Sequence, residues 1–173
     1  MNTALSRRTL LAALPLALLA AHRPARALDT RALAMGDAAP ALELEGLAGP
    51  VSLAALKGRV VYLDFWASWC PPCRQSFPWM DQMLARHGTS GLAVVAVNLD
   101  RQRGAAEQFM RAVPSRATIA FDPAGDTPRR FGAKAMPTSF IIGRDGRVRL
   151  QHDGFREADQ GPLELALKQA LGA

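Results

Sequence analysis

The sequence predicts an α/β domain in which helices cover both faces of a central mixed β-sheet. Three observations carry that expectation. The runs "RVVYLDFWA" from Arg59 and "GLAVVAVNLD" from Gly91 are continuous β-branched and aromatic stretches, the composition of strands buried on both faces. Helix-period segments alternate with these runs, the pattern that builds parallel strands with crossover helices. Near the C-terminus, "PTSFIIG" and "RVRLQHDG" are joined by Arg144-Asp145-Gly146-Arg147, and the Asp-Gly step signals a tight hairpin that adds antiparallel strands.

Taken in order, "PALELEG" and "GPVSL" form an opening hairpin, after which Ser52 is placed to cap a brief helix over "LAAL" that stops at Lys57-Gly58. The first buried strand leads into a helix from Pro71 to His87, with Gly88 as its stop. Pro78 falls inside that helix and should kink it. The second buried strand is followed by a helix over "GAAEQFMRAV", a short strand "ATIAFD" and a helical turn "DTPRRFG". After the terminal hairpin, Leu163, Leu167, Ala170 and Leu171 recur at helical spacing and close the domain with an amphipathic helix.

The N-terminus reads Ser6-Arg7-Arg8 and then "TLLAALPLALLAA", with an Ala-x-Ala site at Ala25-Arg26-Ala27. The apolar run is shorter than the ~20 residues a membrane span needs, so residues 1–27 read as an export signal peptide rather than an anchor. "SRRTLL" is similar to a twin-arginine signal, although the basic residue expected after the two leucines is missing. Residues 28–39 are expected as a flexible lead-in and residues 40–173 as the folded domain. Cleavage after Ala27 leaves 146 residues, enough for one domain with a sizeable core. It also removes four arginines and no acid, leaving 17 basic side chains against 15 acidic ones. The mature chain is thus close to neutral, which argues against a nucleic-acid partner.

The only two cysteines lie in "DFWASWCPPCRQSFP", where the first buried strand turns into a helix. Pro71 suits the first helical turn because the NH it lacks has no helical partner there. Cys70 then faces the free NH groups and positive dipole end of the helix, which should lower its pKa below the usual ~8.5. Cys73 lies on the same helix face, within reach of a small disulfide. Cys70 is therefore the expected attacking sulfur and Cys73 the resolving one. A purely structural role fits poorly, because a loop this short removes little entropy from the unfolded chain. A structural zinc site fits less well, since the mature chain adds only the distant His87 and His152 to one Cys pair.

"DFWASWCPPC", "SFP" and "AMPTSFIIGRDGRV" resemble the thioredoxin superfamily, in particular its exported TlpA-like and ResA-like branch. The resemblance covers nearly all of the mature chain, and residues from about Arg101 to Phe121 match a helix and strand that the branch inserts into the thioredoxin core. It implies a thioredoxin fold with an N-terminal β-hairpin and that inserted helix-strand element. It also implies a cis bond before Pro137, with Met136 and Pro137 forming the edge on which a substrate strand docks. The implied activity is thiol-disulfide exchange in the periplasm with no dissociable cofactor and no metal, using the Cys70–Cys73 disulfide alone. The implied partners are disulfide-containing substrate proteins, in cytochrome c or copper-site assembly, and an inner-membrane electron-donor protein.

Several residues carry smaller expectations. Asp64 places a carboxylate in an otherwise apolar strand, where burial should raise its pKa. By resemblance to thioredoxins it would take the proton of Cys73, although many members of the TlpA-like branch have Asn there. Trp69 should shield the disulfide, while Phe65 and Trp66 belong to the core. Pro71 and Pro72 remove two NH donors from the helix start. Haem-maturation relatives carry an acidic residue where this sequence has Pro71. The spacing of Met80, Met83 and His87 could hold copper but matches the buried helix face better. "FWASW" replaces the Pro and Thr that peroxiredoxins place before their reactive Cys. The resemblance implies a reductant of substrate disulfides, and two alternatives to it remain: a thiol oxidase, and a metallochaperone holding Cu(I) through the two thiolates.

Overall fold

The computed structural model describes residues 33–172, and the expected export signal over residues 1–27 lies outside them. Among these residues, seven strands form one mixed sheet: β1 (Glu43–Gly46), β2 (Gly49–Ser52), β3 (Val60–Trp66), β4 (Leu92–Asn98), β5 (Thr118–Phe121), β6 (Thr138–Ile142) and β7 (Val148–Asp153). The helices are α1 (Pro71–His87), α2 (Arg103–Ala112), α3 (Asp126–Phe131) and α4 (Gln160–Leu171). The strand order is β2-β1-β5-β4-β3-β6-β7, with β3, β4 and β5 parallel and the remaining pairings antiparallel. This is the expected thioredoxin-type sheet, with the hairpin at one edge and α2–β5 as the inserted element.

Every residue of β3 and β4 is buried, as their unbroken apolar composition requires. Alternation along β3 sends Val60, Tyr62 and Trp66 to one face and Val61, Leu63 and Phe65 to the other. On the first face, Trp66 packs edge-on against Phe77 of α1 at 4.9 Å between ring centroids, and Tyr62 against Trp79 at 5.3 Å. Leu163 and Leu167 of α4 complete this side. On the second face, Phe65, Phe131 and Phe140 form a triangle of edge-on rings. The hairpin reaches β5 through the pair Gly46–Ala120. A Cβ at Gly46 would lie 2.5 Å from the Gly49 carbonyl and 2.9 Å from that of Ile119, so the close approach requires glycine.

Helix α1 starts at Pro71 and ends at His87 as expected, and it runs on through Pro78 as one element. Two local features differ from the sequence reading. The segment after Ser52 forms a single 3₁₀ turn over Ala54–Leu56 rather than a helix over "LAAL", with Ser52 Oγ accepting from the Ala54 NH at 3.2 Å. The segment expected as a flexible lead-in is, from residue 33, fastened to the rest of the domain. Gly36 NH donates to the Val148 carbonyl, Val148 NH to the Asp37 carbonyl, and Ala39 NH to the Gly146 carbonyl.

Candidate active site

The site forms where β3 ends and α1 begins. The turn between them is held from beneath by the segment after β4. Asp100 Oδ2 accepts from the Ser68 NH at 2.9 Å and from Asn98 Nδ2 at 2.8 Å, while its Oδ1 accepts from Ser68 Oγ at 3.1 Å. Asp100 is buried, so this three-residue network fixes the backbone two residues before Cys70. The sequence reading missed it. The available signal was the pair of polar residues, Asn98 and Asp100, that closes an otherwise apolar strand.

Cys70 occupies the N-cap of α1, with Pro71 and Pro72 as the first two helical residues. Its Sγ accepts a hydrogen bond from the Cys73 NH at 3.2 Å. The two cysteines are joined in a disulfide with their Cα atoms 5.3 Å apart. Both are buried, Cys70 at 3 % exposure and Cys73 at 0 %. Pro71 is exposed and Pro72 half-buried. Trp69 stands 68 % exposed beside the pair, whereas Trp66 lies wholly in the core. The Met136–Pro137 bond is cis. Pro137 is buried and its carbonyl accepts from the Gly154 NH at 2.7 Å. Met136 packs against the apolar cluster that contains both cysteines. Among the described residues, its backbone NH and carbonyl make no hydrogen bond.

Asp64 points to the same sheet face as Tyr62 and Trp66, the face covered by the buried side of α1 that carries Cys73, Phe77 and Met80. It is 1 % exposed, and its Oδ2 has no hydrogen-bond partner among the described residues. Loss of water around the carboxylate pushes its pKa well above the usual range. Burial, and next the neighbouring Asp64 charge, likewise pushes the Tyr62 phenol up. Met80 and Met83 are buried in the core, and His87 Nε2 lies 3.4 Å from Glu164 Oε1. The spacing that could have suggested copper is thus the inward side of α1.

A disulfide closed at a helix start on a thioredoxin-type sheet defines a thioredoxin-like thiol-disulfide oxidoreductase, and comparison with known proteins agrees. The AhpC/TSA family model matches residues 35–151. Thiol-disulfide oxidoreductase ResA from Bacillus thuringiensis subsp. konkukian is 30% identical over 136 residues, covering 78% of each chain. ResA from Bacillus subtilis is 32% identical over 114 residues, covering 65% of this chain and 64% of the other. A crystal structure assigned as thiol:disulfide interchange protein DsbE from Chlorobium tepidum superposes with a TM-score of 0.81 at 57% identity, covering 82% of this chain and all of that one. The chain belongs to the AhpC/TSA family, within the thioredoxin superfamily, and is of the ResA and DsbE type.

Proposed function

We propose that this chain is an exported reductant of protein disulfides that works in the periplasm through a Cys70–Cys73 cycle. In the reduced protein the Cys70 thiolate attacks one sulfur of a substrate disulfide, forming a mixed disulfide and releasing the other substrate sulfur as a thiolate. Cys73, deprotonated by Asp64, then attacks the Cys70 sulfur. The Cys70–Cys73 disulfide closes and the second substrate sulfur leaves with the electron pair. A membrane electron donor restores the dithiol, and the cycle calls on no dissociable cofactor or metal.

The observation that carries the reading is the single hydrogen bond to Cys70 Sγ, from the Cys73 NH. Pro71 and Pro72 supply no NH, so the Cys70 thiolate receives less help from the helix start than an all-donor turn would give. A less stabilised thiolate leaves the dithiol readier to give up its electrons. The free backbone edge at Met136 supports docking of an extended substrate segment. Beside it lies a cavity of about 320 Å³, lined by Phe65, Leu99, Pro128, Lys134 and Met136 among others. It suits an apolar side chain next to the substrate cysteine.

The substrate class we assign is disulfide-bearing proteins in cytochrome c or copper-site assembly, and residues 1–27 as the signal that exports the domain. No helix among the described residues is long and apolar enough to cross a membrane. Expression of Cys73→Ala in cells tests the reading. The variant should accumulate as a mixed disulfide through Cys70, and the captured proteins identify the substrates. If no disulfide-linked adduct forms in the Cys73→Ala variant while Cys70→Ala behaves identically, the cycle is wrong.

A further inference from the structure

The cavity beside Met136 lies on the other side of the sheet from the disulfide. Phe65, Leu99 and Ala133 line it, and all three belong to the apolar cluster of the second sheet face. Cys70 and Cys73 belong to the cluster of the first face, against which Met136 packs while also lining the cavity. Met136 thus stands between the two. Successive side chains of an extended chain point to opposite sides. A substrate strand laid along Met136 that turns its cysteine toward Cys70 therefore turns the next side chain toward the cavity.

The cavity has an apolar floor and a cationic mouth. Phe65 and Pro128 are buried and Leu99 half-buried, whereas Arg129 and Lys134 are exposed. The two cations are not equivalent. Arg129 is engaged locally, in an ion pair with Asp126 and a hydrogen bond to the Ala124 carbonyl at 3.0 Å. Lys134, two residues before Met136, has no ion pair or hydrogen bond among the described residues.

No acid of the chain answers that charge. Among the described residues no carboxylate lines the cavity. Asp126 is held by Arg129, and Asp122 accepts from the NH groups of Gly125, Asp126 and Thr127. On the disulfide side the nearest cation in the chain, Arg74, lies over the Phe109 ring at 4.8 Å. Lys134 is the unengaged charge at the cavity.

We infer that Lys134 selects substrates with a carboxylate close to the apolar side chain that enters the cavity. The inference deepens, and rests on, the reading of the protein as a reductant that binds an extended substrate at Met136. The favoured sequence is a cysteine, an apolar residue beside it, and an aspartate or glutamate one or two positions further on. The apolar side chain leaves water for the cavity floor. The carboxylate meets the ammonium at the mouth, where solvent keeps the pair weak, so that it serves choice and encounter rate more than affinity. Lys134 touches substrate but not the reacting sulfurs.

The test measures the second-order rate at which the pre-reduced full chain attacks two-chain peptide disulfides, by acid quench and mass analysis of the mixed disulfide. In each attack the Cys70 thiolate bonds to the peptide cysteine sulfur, and the second chain leaves as a thiolate. The peptides carry cysteine, leucine and then glutamate, glutamine or lysine, in this order and reversed, because either chain direction can lie along Met136. At low ionic strength the glutamate peptide should react about threefold faster than the glutamine peptide, in at least one direction, and the lysine peptide more slowly. Lys134→Gln should abolish the preference and Lys134→Glu invert it. Lys57→Gln removes a charge that precedes β3, at the end of the strand remote from the site, and should leave the preference intact.

Equal wild-type rates for the three peptides in both directions overturn the selectivity while the reductant reading stands. A preference that survives in Lys134→Gln, or that Lys57→Gln reduces as much, belongs to overall charge and overturns it too. If the reduced wild type attacks none of the peptides, the reductant reading fails and the inference falls with it. Lys134 is exposed and unbonded, so its substitution leaves the fold intact.

Discussion

The backbone NH of Cys73 lies 3.2 Å from the Sγ of Cys70, one helical turn back along α1. This contact makes the two thiols unequal, because one sulfur faces the positive end of the helix and the other sits inside it. In the reduced protein, iodoacetamide at about pH 6 should label Cys70 at least tenfold faster than Cys73. Peptide mass mapping after a short pulse measures this. Faster labelling of Cys73 would reverse the assigned roles.

Asp64 should make the folded state less stable as pH rises. Its native pKa is raised by burial, so above the ordinary carboxylate range near ~4 the native state binds more protons than the unfolded chain. Stability therefore falls from about pH 4 upward, until the native carboxyl has itself ionised. Asp64→Asn should flatten that slope and stabilise the protein above the ordinary carboxylate range, since the cost of keeping an unpartnered, buried titrating carboxyl is removed. Urea melts of both proteins at several pH values measure the difference, and parallel pH curves would contradict the argument.

Asp100 should matter for stability and not for acid–base chemistry. Its carboxylate accepts three hydrogen bonds, two from Ser68 and one from Asn98, in a buried turn. Asp100→Ala would strand the Ser68 NH and the Asn98 amide, costing about 3 kcal/mol. Thermal unfolding should show a correspondingly lower Tm, and a loss under about 0.5 kcal/mol would mean that the turn holds itself.

The elements that follow local rules were legible in the sequence. The bounds of α1 come from Pro71 and Gly88, and β3 and β4 come from unbroken apolar runs. The cysteines could be placed at the helix start because a strand, two prolines and a helix meet there. Contacts that depend on pairing between distant strands were not legible. Asp64 and Ser139 lie far apart in sequence and take opposed positions only through register, and Asp100 reaches Ser68 across the β3–β4 pair. Residues 33–39 carried no strand pattern, because they are held by backbone bonds to the β7 hairpin that leave no mark on side-chain composition. The 3₁₀ turn after Ser52 was expected as a longer helix because "LAAL" has high helix propensity, yet only a few residues separate β2 from β3.

The direction of electron flow is the centre of the account, and the reduction potential of the Cys70–Cys73 pair measures it. Equilibration in glutathione buffers, read by tryptophan fluorescence with Trp69 exposed beside the disulfide and Trp66 in the core, yields the midpoint. With a single NH on Cys70 Sγ and prolines at the next two positions, the midpoint should lie below the ~−180 mV of protein disulfide isomerase and nearer the ~−270 mV of thioredoxin. A midpoint near the ~−120 mV of the strong periplasmic oxidant would contradict the assignment and make the protein an oxidase of thiols.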